Sequence, residues 1–258
     1  AAFNHRHIFI DPTPDAASSY AERARLFALP RSSWSDYNAA LISTGGGVFE
    51  RSAKSIPLTD AMRTALGTDA ASATPDELIR IILRAPVELL WNGGIGTYVK
   101  ASTETHEQVG DRANNALRVD GAEIRVAIVG EGGNLGFTQR GRIEYARKGG
   151  RINTDAIDNS GGVDCSDHEV NIKIALGAAV ANGSMTLEQR DLLLKEMTDE
   201  VAELVLVDNR LQTQAISMAH LQGMSLLEPA GQLMTTLEAE KFLNRAVEYL
   251  PDDKQLAE

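Results

Sequence analysis

Apolar residues in the first two thirds of this chain come in short runs cut off by turn-forming residues, whereas in the last third they recur at helical spacing. The opening alternates apolar Ala1–Phe3, polar Asn4–His7 and apolar Ile8–Ile10 before Asp11-Pro12, which predicts a strand entering a turn. A chain that starts in mid-strand without a methionine is expected to be a piece of a longer polypeptide. Ser18 to Leu29 suits a short helix closed by Pro30, residues 31–38 a polar turn around Trp34, and Ser43 to Phe49 a glycine-rich loop. Thr59 to Leu66 is a helix candidate ended by Gly67. Thr74-Pro75-Asp76-Glu77 starts another, with a threonine cap, proline at the first position and a glutamate placed to complete a capping box. It runs to about Arg84.

Val87 to Trp91 then predicts a buried strand, followed by Asn92-Gly93-Gly94-Ile95-Gly96-Thr97. Ala113 to Leu117 is a short helical stretch. Glu123 to Val129 is the clearest strand and feeds into Gly130-Glu131-Gly132-Gly133-Asn134-Leu135-Gly136; Gly150 to Ile157 suits one more. Helices are expected over 167–182, 186–207, 208–222, 226–238 and 239–250, with Leu192, Leu193, Met197, Val201, Leu204 and Val205 on one stripe. Strands and glycine loops alternating with helices, then helices alone, give an α/β class: a nucleotide-binding domain over 1–166 and a helical C-terminal region over 167–258.

Charge narrows the partners. The chain carries 36 acidic and 25 basic residues, for a net charge of −11. Residues 187–258 hold 14 acidic against 6 basic side chains, as a solvated helical face would. Such a balance argues against a general nucleic-acid or anionic-membrane binder. The single cysteine, Cys165, excludes an internal disulfide framework, and no apolar run approaches the length of a membrane span. A reducing, cytoplasmic setting is expected.

Three constellations carry candidate chemistry. Two strands, ending at Trp91 and Val129, finish in loops rich in Asn and Gly, and ligands of open α/β sheets bind beyond the carboxyl ends of strands. The glycines at 130, 132, 133 and 136 do not follow G-x-G-x-x-G, and another glycine, Gly141, stands where a helix is needed. That loop therefore reads as a backbone ledge carrying Asn134 beside a ring or sugar. In the third, carboxylates Asp155, Asp158, Asp164, Asp167 and Glu169 surround His168. Asp158 to Glu169 has the length of a calcium loop, but its fifth and sixth positions are Gly162 and Val163. The better reading is a backbone bend at Gly161-Gly162 with Ser166 near a helix start, where amides and a hydroxyl suit a substrate carboxylate. No metal is expected. His5, Arg6 and His7 could hold a phosphate or form an exposed turn.

The stretches FNHRHIFIDPTPD (3–15), LPRSSWSDY (29–37), GGGVFERSAKSIPL (45–58), ELLWNGGIGTYVKAST (88–103), GDRANNALRV (110–119), GEGGNLGFTQRGRIEYA (130–146), GGRINTDAIDNSGGVDCSDHEVNIKI (149–174) and DNRLQTQA (208–215) resemble the large, multi-domain NAD-specific glutamate dehydrogenases of bacteria, over nearly the whole chain. The resemblance implies oxidative deamination of L-glutamate to 2-oxoglutarate and ammonia, with hydride passing to NAD. It implies a Rossmann-like domain incomplete at its N-terminus. The glycine fingerprint would lie just upstream, and the catalytic lysine and aspartate further upstream in a substrate domain, so the segment alone should be inactive. It also implies a homo-oligomer.

Residue by residue, Asn4 matches the position that binds the adenosine ribose. An amide there can bond a hydroxyl but lacks the charge that would repel a 2′-phosphate. Asn92 and Gly93 match the strand-end loop flanking the cofactor, and Glu131, Gly132 and Asn134 a loop near the nicotinamide ribose. Asn159 matches an asparagine contacting the nicotinamide amide, Val163 a wall of the substrate pocket, and Ser166 a serine touching the substrate carboxylate. From another class, a non-catalytic oligomerisation or regulatory nucleotide-binding module remains, with the acidic helices as interface; calcium binding at 158–169 is a third.

Overall fold

The structure is a computed structural model that describes residues 1–257 and divides into two compact units, residues 1–130 with 135–152, and residues 131–134 with 153–258.

In the first unit, β1 (Ala2–Phe3) and β2 (His7–Ile10) form an antiparallel hairpin in which Phe3 faces Ile8. Helix α1 (Ala16–Phe27) starts at Asp15, whose carboxylate accepts the Ser18 N–H at 2.8 Å. Its buried Glu22 accepts two Arg25 hydrogen bonds, at 2.6 and 2.8 Å, and the Asn38 N–H at 2.7 Å. The Arg25 bonds first, and then the Asn38 amide, hold the Glu22 carboxyl down to about 2 from an ordinary 4.5. Stability from this group is therefore complete above pH 4.5 and is lost as pH falls toward 2. Glu22→Gln should flatten the acid-unfolding curve between those limits; an unaltered curve counts against the clamp.

Strand β3 (Gly47–Glu50) pairs antiparallel with β2, His7 facing Glu50 and Ile10 facing Gly47. The expected loop at 43–49 is thus only a turn at its glycines, because Val48 and Phe49 extend the sheet. Trp34 lies in a 3-10 turn and stacks on Phe9 at 4.7 Å between ring centroids. Strands β4 (Ile56–Pro57) and β5 (Ser72–Ala73) flank α2 (Asp60–Leu66), which closes on Gly67 at φ 62°. Helix α3 (Pro75–Leu83) has the expected capping box between Thr74 and Glu77 and buries Leu78, Ile79, Ile82 and Leu83. These join Ile8, Ile10, Ile56, Met62, Val99, Val119, Val129, Phe137 and Tyr145 in one core.

Beyond α3 come β6 (Leu89–Asn92), β7 (Val99–Lys100), the one-turn α4 (His106–Val109), β8 (Val119–Asp120) and β9 (Ile128–Glu131). Residues 113–117 provide no more than part of a 3-10 turn. The strand expected at 123–129 starts later and runs on through Gly130 into the fully buried Glu131. Helix α5 (Gln139–Arg147) follows, capped by Thr138, and leads to β10 (Arg151–Ile152), parallel to β9 with Arg151 facing Ile128. A helix does therefore follow the glycine-rich loop, after Gly136 and Phe137; Thr138 was the legible signal and Gly141 the misleading one. Gly141 is needed because a Cβ there would come within 3.0 Å of the Lys100 backbone. Strand order β10-β9-β6, with a helical crossover between parallel strands, makes this a mixed α/β arrangement.

The second unit is helical: α6 (Asp155–Asp158), α7 (Asp164–Ala181), α8 (Leu187–Glu196), α9 (Thr198–Gln222), α10 (Leu227–Ala239) and α11 (Asp253–Ala257). Three expectations need correction. Helix α7 starts at Asp164, three residues before the expected point. The break between the next two helices falls at Met197, not at 207–208, because Thr186 caps α8 and no turn signal interrupts 198–222. Residues 239–250 are not a helix: Lys241 and Tyr249 take φ of 64° and 54°, and buried Arg245 gathers Glu238, Pro251 and Asp253 instead. Among the described residues no helix is long and apolar enough to cross a membrane.

Candidate functional site

The loop at Glu131–Asn134 and the turn at 159–162 belong to the same unit and are tied together. Asp158, the last residue of α6, accepts the Glu131 N–H at 3.0 Å and the Asn153 amide at 3.1 Å. Asn159 then leaves the helix, and its carbonyl accepts the N–H groups of Gly162 at 2.9 Å and Val163 at 2.8 Å. That closed turn aims the Asn159 side chain at Asn134, to whose Oδ1 it donates. A Cβ at Gly162 would lie 2.6 Å from the Asn159 amide oxygen and would displace that side chain. Leu135, next to the exposed Asn134, holds φ 57°, a conformation rare for leucine. The structure thus brings together Glu131, Gly132, Asn134 and Asn159.

Two residues of the second unit, to which the sequence assigned no part in this turn, support it. Asp158 is one. The other is Asn209, whose amide reaches from α9 to the Ile157 carbonyl and the Ser160 hydroxyl, both at 2.7 Å. The only hint was its place in the stretch 208–215. Val163 is half-buried at the entry to α7, and Ser166 lies in the first turn of α7, donating to the Gly162 carbonyl at 2.6 Å. Asp158 to Glu169 is not a calcium loop, because its last six residues are wound into α7 and cannot wrap an ion.

The remaining candidates lie in the first unit. Asn92 ends β6 with its amide nitrogen buried and without a hydrogen-bond partner, which leaves one good donor unspent. Gly93 follows, exposed. The half-exposed Trp91 lies flat over Gly130 of the neighbouring strand, where a Cβ would come within 2.5 Å of its ring. Beyond the loop, the buried Arg118 donates to the carbonyls of Thr97 at 2.8 Å and Asp111 at 2.6 Å, to Asn115 at 2.7 Å and to His106 Nδ1 at 2.9 Å. Asp111 in turn accepts the Thr97 N–H at 2.9 Å, so the far end of the loop is pinned twice.

Asn4 is occupied differently. Its Oδ1 accepts the N–H groups of Arg6 and His7, each at 2.8 Å, and shapes the β1–β2 turn. Its amide contacts Ser33 at 3.3 Å. His7 is buried between Ser33 and Glu50, while His5 and Arg6 are exposed.

A family model described as the catalytic domain of bacterial NAD-glutamate dehydrogenase matches residues 1–219. Proteins named NAD-specific glutamate dehydrogenase are 60% identical over 258 residues in Pseudomonas aeruginosa, 58% over 257 in Halomonas elongata and 54% over 263 in Mycobacterium tuberculosis. Each alignment covers 100% of this chain and 16% of the relative, so the chain spans about a sixth of the length of the curated relatives it matches.

Proposed function

Because the chain belongs to the bacterial NAD-glutamate dehydrogenase family, we propose that it is the cofactor-binding part of an enzyme that deaminates L-glutamate oxidatively to 2-oxoglutarate and ammonia. When bound, NAD supplies the hydride acceptor. The residues of this chain hold and orient it; proton transfer is assigned to a substrate domain elsewhere in the longer polypeptide, and the working form is a homo-oligomer. The parallel β9–α5–β10 crossover supports a Rossmann-like reading of the first unit.

The residues present suit the cofactor. The side-chain contact between Asn134 and Asn159, which lie 25 positions apart, carries the reading. Each amide keeps hydrogen-bonding capacity beyond that contact, matching ribose hydroxyls and a carboxamide. Within the first unit, Asn92 separately presents a buried donor in need of an acceptor. In the second unit, Gly161 leaves open space where a side chain would otherwise stand. Val163 and Ser166, in the turn and first helical coil that follow Asn159, are assigned to the substrate side. Asn4, with its oxygen already committed, offers a ribose only its amide donor.

In the full-length enzyme, Asn134→Ala and Asn159→Ala should each weaken NAD binding about tenfold, the worth of one well-placed hydrogen bond. Calorimetric titration checks this, with an unchanged melting temperature as the folding control; unaltered cofactor affinity overturns the reading. A second reading, a non-catalytic oligomerisation or regulatory module, is favoured by the exposed Leu206, Leu221 and Met224. Assembly by light scattering without any NAD affinity would select it.

A further inference from the structure

Helix α7 places Asp164 and His168 one turn apart on one face, and α9 brings Asp208 to the same spot from 40 positions away. His168 Nε2 lies 2.9 Å from Asp208 Oδ2 and 3.8 Å from Asp164 Oδ1, and one ligand atom from each residue falls within 4.8 Å of the others. We propose that Asp164, His168 and Asp208 bind one divalent first-row transition cation of the zinc or manganese type, which clasps α7 to α9.

Three observations carry this. First, the spacing suits an ion. Two ligands at bond lengths of about 2.1 Å stand about 3.0 Å apart at a right angle and no more than about 4.2 Å apart when opposed. The 3.8 Å distance falls in that interval and the 2.9 Å distance sits at its lower edge, while the ligand atoms of Asp164 and Asp208 lie within 4.8 Å of each other. Second, the charge is uncompensated. No lysine or arginine among the described residues is paired with Asp164 or Asp208, so two carboxylates share a single imidazole. The second oxygen of Asp164, Oδ2, is buried and accepts no hydrogen bond, a costly state for an anion that a cation relieves. Third, His168 and Asp208 remain about one-third exposed, so an ion can enter and complete its coordination with water. A set of one imidazole and two carboxylates favours a transition metal over calcium or magnesium, which take oxygen ligands. The site does not depend on the twelve-residue stretch 158–169, since Asp208 comes from α9.

Titration of the 258-residue chain with Zn²⁺ alone should give one ion per chain and raise the melting temperature by a few degrees at saturation. His168→Ala and Asp208→Asn should each weaken binding at least about 100-fold. Should either variant fail to fold, the wild-type protein still decides. Mn²⁺ should broaden the ring resonances of His168 and leave those of His5, His7, His106 and His220 sharp. Absence of saturable binding, equal binding by the variants, or broadening at other histidines overturns the proposal and leaves His168 as an ion-pairing residue only.

Discussion

Arg118→Ala should lower the stability of the first unit by about 3–5 kcal/mol, the usual cost of breaking a buried charged network from one side. Its guanidinium is fully enclosed and serves acceptors on four residues, Thr97, Asp111, Asn115 and His106. Truncation takes the guanidinium donor from the buried Thr97 and half-buried Asp111 carbonyls and removes the cation near the Asp111 carboxylate, 3.7 Å away. Arg118→Lys should recover less than half of the loss, because a point ammonium cannot reach acceptors arranged for a planar fork. Urea unfolding followed by tryptophan fluorescence measures both, since Trp34 and Trp91 lie in this unit. A loss below about 1 kcal/mol would mean that water substitutes for the guanidinium and that the network is not decisive. In the full-length enzyme the same change frees the loop after Asn92 at its Thr97 end, so cofactor affinity should fall along with stability.

Leu78→Ala should cost about 2–5 kcal/mol by the same measurement. Leu78 is fully buried on the inner stripe of α3, against a core drawn from the first hairpin, α2 and the later strands. Leu78→Met keeps the volume and should cost less than about 1.5 kcal/mol. Comparable losses from the two would indicate that shape rather than buried apolar volume governs this position.

These two positions differ in how legible they were. Leu78 follows from local rules: a capped start at Thr74, a 3.6-residue apolar period and a proline at 86 fix both helix and inner face. The long helices α8 and α9 were readable for the same reason, apart from the break at Met197, where apolar periodicity continues across both helices and hides the join; β6 was legible as a strand but is not the buried one expected at 87–91, since Leu89 and Trp91 are exposed. Arg118 was invisible, because its importance lies in carbonyls of residues 97 and 111 that only the fold delivers. The candidate site divides likewise. Asn134 and Asn159 stood out by resemblance, and the fold supplied their contact. Asp158 was read only as one of the carboxylates near His168, and Asn209 and Asp208 were missed, since the contacts that give these residues their parts span 27 to 52 positions. The opening strand and turn were legible from apolar and polar alternation, whereas β3 escaped because its first residue, Gly47, belongs to a glycine run that reads as a loop.

The helical unit carries a consequence of its own. Among the described residues, Val205 is the only buried position along α7 to α10, whereas α3 alone encloses five. Cooperative melting needs shared interior contacts, and these helices have few. Amide protons of α8 to α10 should therefore exchange with solvent deuterium through openings that cost far less than global unfolding, while those of α3 wait for the whole first unit to come apart. One free energy of unfolding does not describe such a chain.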